Sequence, residues 1–134
     1  MSHWTKTKTK LNNMDYMKSA LKRMGITEYK EGGKISRAYD DSEGGRVDIS
    51  IDGHVGLRQE EDGTISIVGD HYYSQHAVVK QPEKFKSELT KNYLVSEAFA
   101  KVEEQSFYIY ENEKAEVGAD GLIRMRARAL YSEE

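Results

Sequence analysis

The sequence predicts an α+β domain: an antiparallel sheet of about six or seven strands carrying two helices on one face, in the order strand, helix, four strands, helix, two strands. Two stretches of helical apolar spacing, near 14–24 and 82–105, flank a block at 34–70 whose apolar residues alternate with polar ones in short runs. Asp-Gly pairs punctuate that block at Asp52-Gly53 and Asp62-Gly63, and this pair tolerates the positive φ angles of a tight hairpin turn. The 134 residues contain no evident linker, repeat or low-complexity tract, so the expectation is one domain spanning 1–134.

The opening reads as a strand, because Thr5, Thr7 and Thr9 alternate with Trp4, Lys6, Lys8 and Lys10. Asn12 and Asn13 then offer an N-cap, Met14, Met17, Leu21 and Met24 recur at helical spacing, and Gly25 ends the helix. Its methionine-rich stripe is more simply core than an adaptable binding surface. Ile35 to Tyr39, Val47-Ile49-Ile51, Val55-Leu57 and Ile65-Ile67 read as a meander of four strands. The acidic residues at its breaks, including Asp41-Ser42-Glu43-Gly44-Gly45, read mostly as solubilising turn residues. Pro82 is placed to begin a second helix reaching Gln105, with Phe85, Leu89, Tyr93, Val95, Phe99, Ala100 and Val102 on its packed half. Phe107 to Tyr110 is then expected as an alternating strand, Glu111 to Asp120 as a charged loop, and 123–129 as a last strand with Arg124, Arg126 and Arg128 on one face.

Composition removes several classes of function. With 37% hydrophobic and 32% charged residues the chain is polar, but nine Tyr, three Phe and one Trp argue against disorder. The absence of cysteine excludes disulfides, thiolate zinc sites, iron–sulfur clusters and a cysteine nucleophile. No apolar run approaches bilayer length, and Met1-Ser2-His3-Trp4 with the Thr/Lys alternation behind it has no signal-peptide core, so the chain reads as soluble and cytoplasmic, with no membrane partner. The net charge of −3 conceals an asymmetry: 1–34 carries eight basic residues against three acidic, whereas 35–75 carries three against nine.

Three constellations stand out as candidate sites. Arg124, Arg126 and Arg128, two apart on a strand, would project roughly 7 Å from one another, near the spacing of successive phosphates on a nucleic-acid strand. Lys6, Lys8 and Lys10 would extend such a face and Tyr108 and Tyr110 would add stacking surfaces; alternatively the arginines merely cover a solvated sheet face. His54, His71 and His76, near Asp52 and Asp70, have the side-chain chemistry of a metal or proton-transfer site, yet the five-residue step from His71 to His76 fits neither a helix face nor a strand face. Tyr72, Tyr73 and His76 form a polar aromatic segment suited either to a ligand lip or protein hot spot, or to a lid on the core. Tyr16, Tyr29 and Tyr93 are open to similar partial burial. Adjacent carboxylates such as Glu60-Glu61-Asp62 and Glu103-Glu104 fit solvated positions, and neither a P-loop nor a Gly-x-Ser-x-Gly elbow nor HExxH is present.

In order along the chain, Met1-Ser2-His3-Trp4, the Asn13 to Gly25 helix, Ile65-Ser66-Ile67-Val68-Gly69-Asp70, Tyr93 through Phe107, and Asp120-Gly121-Leu122-Ile123-Arg124-Met125 resemble the plastid and cyanobacterial hypothetical-frame thirty-five family, a domain of unknown function. The chain departs from that pattern at His71-Tyr72-Tyr73 and His76, where the family carries a Trp-containing segment, and in an acidic insertion near Glu111 to Gly118. Members are often encoded near a ring-forming AAA+ ATPase, so the resemblance implies a small accessory protein with no established activity or cofactor. The leading expectation is a non-catalytic adaptor for a protein partner such as a AAA+ ATPase, with a homodimer open. The alternative is a protein that sequesters a phosphorylated ligand, either a nucleotide signal or single-stranded nucleic acid, through Arg124, Arg126, Arg128 and the tyrosines. A metal-assisted hydrolase built on the histidines is the third.

Overall fold

In the computed structural model, residues 4–113 are described, with side chains described through 105. Among the described residues the architecture is α+β, with a five-stranded antiparallel sheet and two helices. In chain order the elements are β1 (Thr5–Lys8), α1 (Met14–Arg23), β2 (Lys30–Glu31), β3 (Ile49–Ser50), β4 (Val55–Gln59), β5 (Ile65–Gly69), a 3₁₀ turn (His71–Tyr73) and α2 (Pro82–Glu113). The strands lie in the order β1-β5-β4-β3-β2, so the first strand is an edge beside the last. Packing divides the chain into two units, Met1–Tyr93 and Leu94–Glu134; the described part of the second is the helix at 94–113, where Glu97 pairs with Lys101 at 3.7 Å.

The β4–β5 hairpin is the centre of the sheet. Leu57 faces Ile67 and Gln59 faces Ile65, so the apolar partners of both strands fall on one side. Its turn is closed by Glu60 N–H on Thr64 O and by the Asp62 carboxylate, which accepts from both the N–H and the hydroxyl of Thr64. Those two bonds hold Asp62 at a pKa of about 2.

Both helices contribute to the core on that side. In α1, Asn13 caps the N-terminus by accepting from the N–H groups of Asp15 and Tyr16, while Ile26 N–H returns to Leu21 O across Gly25 at φ +83°, the backbone signature of a left-handed stop. Met17, Ala20 and Leu21 thereby point inward, and Phe85, Leu89 and Tyr93 present the matching i, i+4, i+8 stripe of α2. All six pack with Ile49, Leu57, Ile65 and Ile67. The Tyr93 hydroxyl accepts the Asn13 N–H at 3.0 Å, and its ring meets Tyr16 edge-on.

The other face holds a smaller apolar group, Ile35, Val47 and Val68 with Trp4, and is covered by the 34–47 loop. What anchors that loop is polar. Arg58, on β4, is 1% exposed; it donates from both Nη atoms to the two carboxylate oxygens of Asp41, at 3.1 and 2.6 Å, and from Nε to Arg46 O. Asp41 also accepts Gly45 N–H, and the Arg58 guanidinium holds its carboxyl below the usual carboxylate range.

Several expected elements differ. Ile35 to Tyr39 is not a strand: a single bridge, Lys34 to Arg46, replaces a ladder, and Arg37 adopts φ +63°, which breaks extended backbone. The Val47-Ile49-Ile51 strand contracts to Ile49–Ser50, and the two-residue β2, too short and too exposed to leave a hydrophobic pattern, had no counterpart in the expectation. Phe107 to Tyr110 is helical, because α2 runs on through Glu113, eight residues beyond Gln105. No Gly or Pro intervenes between Pro82 and Gly118, so nothing in the sequence halts the helix where four alternating residues look like a strand. The strand expected at 123–129, and most of the charged loop at 111–120, lie outside the described residues.

Candidate functional site

The candidate site is assembled from three loops at the end of the sheet where β5 finishes and β4 begins. The β3–β4 connection contributes Asp52-Gly53-His54, the segment after β5 contributes His71 to His76, and the 34–47 loop contributes Ser36 and Arg37. Each is fixed by main-chain hydrogen bonds. Ser36 N–H donates to Gly53 O at 2.9 Å, and Asp70 N–H donates to His54 O at 3.0 Å. Gly69 makes the second contact feasible: at φ +134°, a Cβ placed on it would lie 2.2 Å from His54 O and 2.7 Å from Val55 Cα.

Asp52 is the knot between two of these loops. One carboxylate oxygen accepts the N–H groups of His54 and Val55, and the other accepts the Ser74 hydroxyl at 2.7 Å and Gln75 N–H at 3.0 Å. Burial pushes its pKa up, but the bonds from Ser74, Gln75, His54 and Val55 together outweigh it and leave the carboxyl below its ordinary value. Asp52 is therefore an ionised structural acceptor. Asp70 plays a lesser version of this part, capping the 3₁₀ turn by accepting Tyr72 N–H at 3.2 Å.

On this frame sits an aromatic and cationic surface. The Arg37 guanidinium lies 3.7 Å from the Tyr73 ring centroid, His54 tilts against the same ring at 5.8 Å, and Tyr72 meets it edge-on at 5.1 Å. Tyr72 is 57% exposed, with Lys80 Nζ 5.8 Å from its ring; Tyr39, two residues along the loop from Arg37, is 88% exposed. Ser36 Oγ, 3.1 Å from His54 Nδ1, fixes the imidazole from its other side.

The histidines go to separate places. His54 belongs to the aromatic surface. His71 is buried, its Nδ1 donating to Val79 O at 2.7 Å and its ring packed edge-on against Phe85, which leaves Nε2 in the interior without a hydrogen-bond partner among the described residues. His76 lines a different recess, described below with Lys30 and Lys34. Among the described residues, no three His, Asp or Glu side chains come together in a way that would hold a metal ion.

Of the residues singled out from sequence, Tyr72 and Tyr73 are brought together, and His76 sits apart from them. Arg124, Arg126 and Arg128 lie outside the described residues. Tyr108 and Tyr110 fall on helical backbone, so the alternating strand on which they were expected to flank an arginine face does not exist. Lys6 and Lys8 lie on the loop-covered face of β1, paired with Glu60 at 3.0 Å and Asp62 at 3.4 Å, and their charge is neutralised locally. The residues that sequence reasoning missed are Arg37 and Ser36, inside a run read as strand, and Lys30 and Lys34; only the contact of the loop with the β3–β4 turn reveals them. No helix among the described residues is long and apolar enough to cross a membrane. Comparison with family models, curated proteins and solved structures finds no match.

Proposed function

We propose that this chain is a non-catalytic binding protein that docks an acidic protein partner on the surface formed by Tyr72, Tyr73, His54 and Arg37. The observation that carries this reading is the Arg37–Tyr73–Tyr72 contact series, anchored by main-chain hydrogen bonds and ending in a largely exposed tyrosine. Tyrosine and arginine are the residue types that concentrate binding energy in protein interfaces, and holding them in place beforehand lowers the entropy lost on docking. Arg37 and Lys80 have no carboxylate partner among the described residues, whereas most cations on the sheet do, which favours a partner bearing Asp and Glu at the contact. The resemblance to the hypothetical-frame thirty-five family makes a AAA+ ATPase the first partner to test, with a second copy of this chain as the comparison.

The test is a binding titration of the full chain against the purified ATPase, beside the variants Tyr72→Ala and Arg37→Ala and the remote control Lys101→Ala. Each site variant is expected to weaken binding by roughly tenfold or more, as loss of a hot-spot side chain does. Equal affinity in all four proteins, or no binding of an acidic partner at all, overturns the reading.

A further inference from the structure

We infer that the recess between the β2 connection and the β3–β4 turn is a binding site for a phosphate monoester group. It encloses about 450 Å³ and is bordered by Lys30, Lys34 and His76, with Gln75 beside them. This inference is independent of the protein-docking surface, which uses other side chains.

Charge is the first argument. Lys6, Lys8, Lys18, Arg46 and Arg58 each have a carboxylate oxygen within 4.0 Å, whereas neither Lys30 nor Lys34 has an ion-pair partner among the described residues. The two uncompensated ammonium groups border the same recess, together with an imidazole able to donate from a ring nitrogen. A phosphate monoester, carrying close to two negative charges at neutral pH, is the common biological group that matches two such cations.

The recess wall is the second argument. Of its two carboxylates, Asp52 is occupied by four hydrogen bonds from His54, Val55, Ser74 and Gln75, so its oxygens are committed to the scaffold; Glu28 is exposed at the margin. The floor near the lysines is Gly32-Gly33, at φ +80° and +99°, and nothing lies within 4 Å of where a Cβ would stand on either. An anion can therefore approach the backbone itself. The Gly33 and Lys34 N–H groups donate to no backbone acceptor among the described residues, which leaves two donors beside the two ammonium groups. Backbone N–H groups at a glycine turn, flanked by lysines, are the parts from which phosphate sites are commonly assembled.

The experiment is a titration of isotope-labelled full-length protein followed by backbone amide NMR. Inorganic phosphate, adenosine monophosphate and O-phosphoserine are added in separate arms, with sulfate as the control anion. Saturable shifts are expected at 30–34, 53 and 75–76, and Lys30→Gln with Lys34→Gln is expected to weaken phosphate binding by roughly tenfold or more, while the remote Lys101→Gln leaves it unchanged. Both lysines are exposed, and an unaltered amide spectrum before titration confirms that the double variant is folded. Preference for the nucleotide or for the phosphoamino acid identifies the source of the phosphate. Shifts scattered over all lysine-bearing surfaces, equal response to sulfate, or none at millimolar phosphate overturns the assignment.

Discussion

One face of the sheet is closed by helices and the other by a loop, and the two closures rest on different chemistry. On the helix face, Met17, Leu21, Phe85 and Leu89 bury apolar surface against Leu57, Ile65 and Ile67, a set of contacts in which each member contributes and none is singular. On the loop face, three aliphatic residues and a tryptophan make only a small apolar group, and the 34–47 segment is fastened by the Arg58–Asp41 pair with Gly45 N–H and Arg46 O. The first closure is distributed and should weaken by degrees; the second is centred on one residue, Arg58, which pairs with Asp41 and lies 3.8 Å from Glu43, and should be the more sensitive to a single substitution. That difference matters for function because Arg37, one of the four residues of the proposed docking surface, and Ser36, which contacts His54 of that surface, ride on the loop that Arg58 fastens.

The comparison can be broken most forcefully at Phe85. Phe85→Ala is expected to cost about 4 kcal/mol of global stability, by lost burial and a residual cavity, measured as a lower denaturant midpoint with unchanged slope. Arg58→Ala comes next. It leaves Asp41 charged with little solvent access, and a cost of about 3 kcal/mol is expected. Its sharper signature is local: protease cleavage within 34–47 and loss of the Arg37 contact to Tyr73, while the amides of α1 and the start of α2 keep their exchange protection. If Arg58→Ala unfolds the helix face as readily as the loop, the two closures are not separable as described.

The smallest effect sharpens the same contrast through pH. Because Arg58 lowers the folded-state pKa of Asp41, the stability it supplies is fully present above the unfolded carboxylate value of about 3.9 and is lost as the pH falls through the lower folded value. Asp41→Asn is therefore expected to be less stable than the parent at neutral pH, with the gap narrowing on acidification. Asp52 adds a parallel acid-sensitive contribution with the same sign, so the Asp41→Asn protein retains some acid dependence. A gap that stays constant from neutral pH through the acid transition contradicts the assignment.

The helix face was readable in the sequence because periodicity reports burial. Met17, Leu21, Phe85 and Leu89 were expected inward, the Asn13 cap and Gly25 stop were visible as residue types, and Asp62-Gly63 marked its turn. The loop face was not readable, since an ion pair between positions 41 and 58 leaves no period; Asp41 reads as one more solvated turn residue, and nothing in the spacing singles out Arg58. Short range explains the other errors. Four residues of alternation at 107–110 weigh less than an uninterrupted helix that has already nucleated, and two-residue strands such as β2 are specified by their neighbours rather than by their own side chains. Of the candidate site, Tyr72 and Tyr73 were legible as a composition anomaly between sheet and helix. Their partners Arg37 and His54 were not legible as partners, because the link between them is made by Ser36 and Gly53 through backbone atoms that carry no sequence signal.

The placement of β1 beside β5 has a consequence for the order of events on the ribosome. Thr5 reaches Gly69 across 64 positions, so among the described strands the earliest in the chain is paired with the latest. Through that interval β1 exists as an unpaired segment, and its alternate lysines, Lys6 and Lys8, discourage it from adopting a neighbouring chain in the meantime. The β4–β5 hairpin, closed by a local turn, is available as the template as soon as it leaves the exit tunnel, whereas docking β1 waits on the entropy of closing the long intervening loop. Pairing β1 with β5 is thus the long-range step that adds an edge to a hairpin already formed.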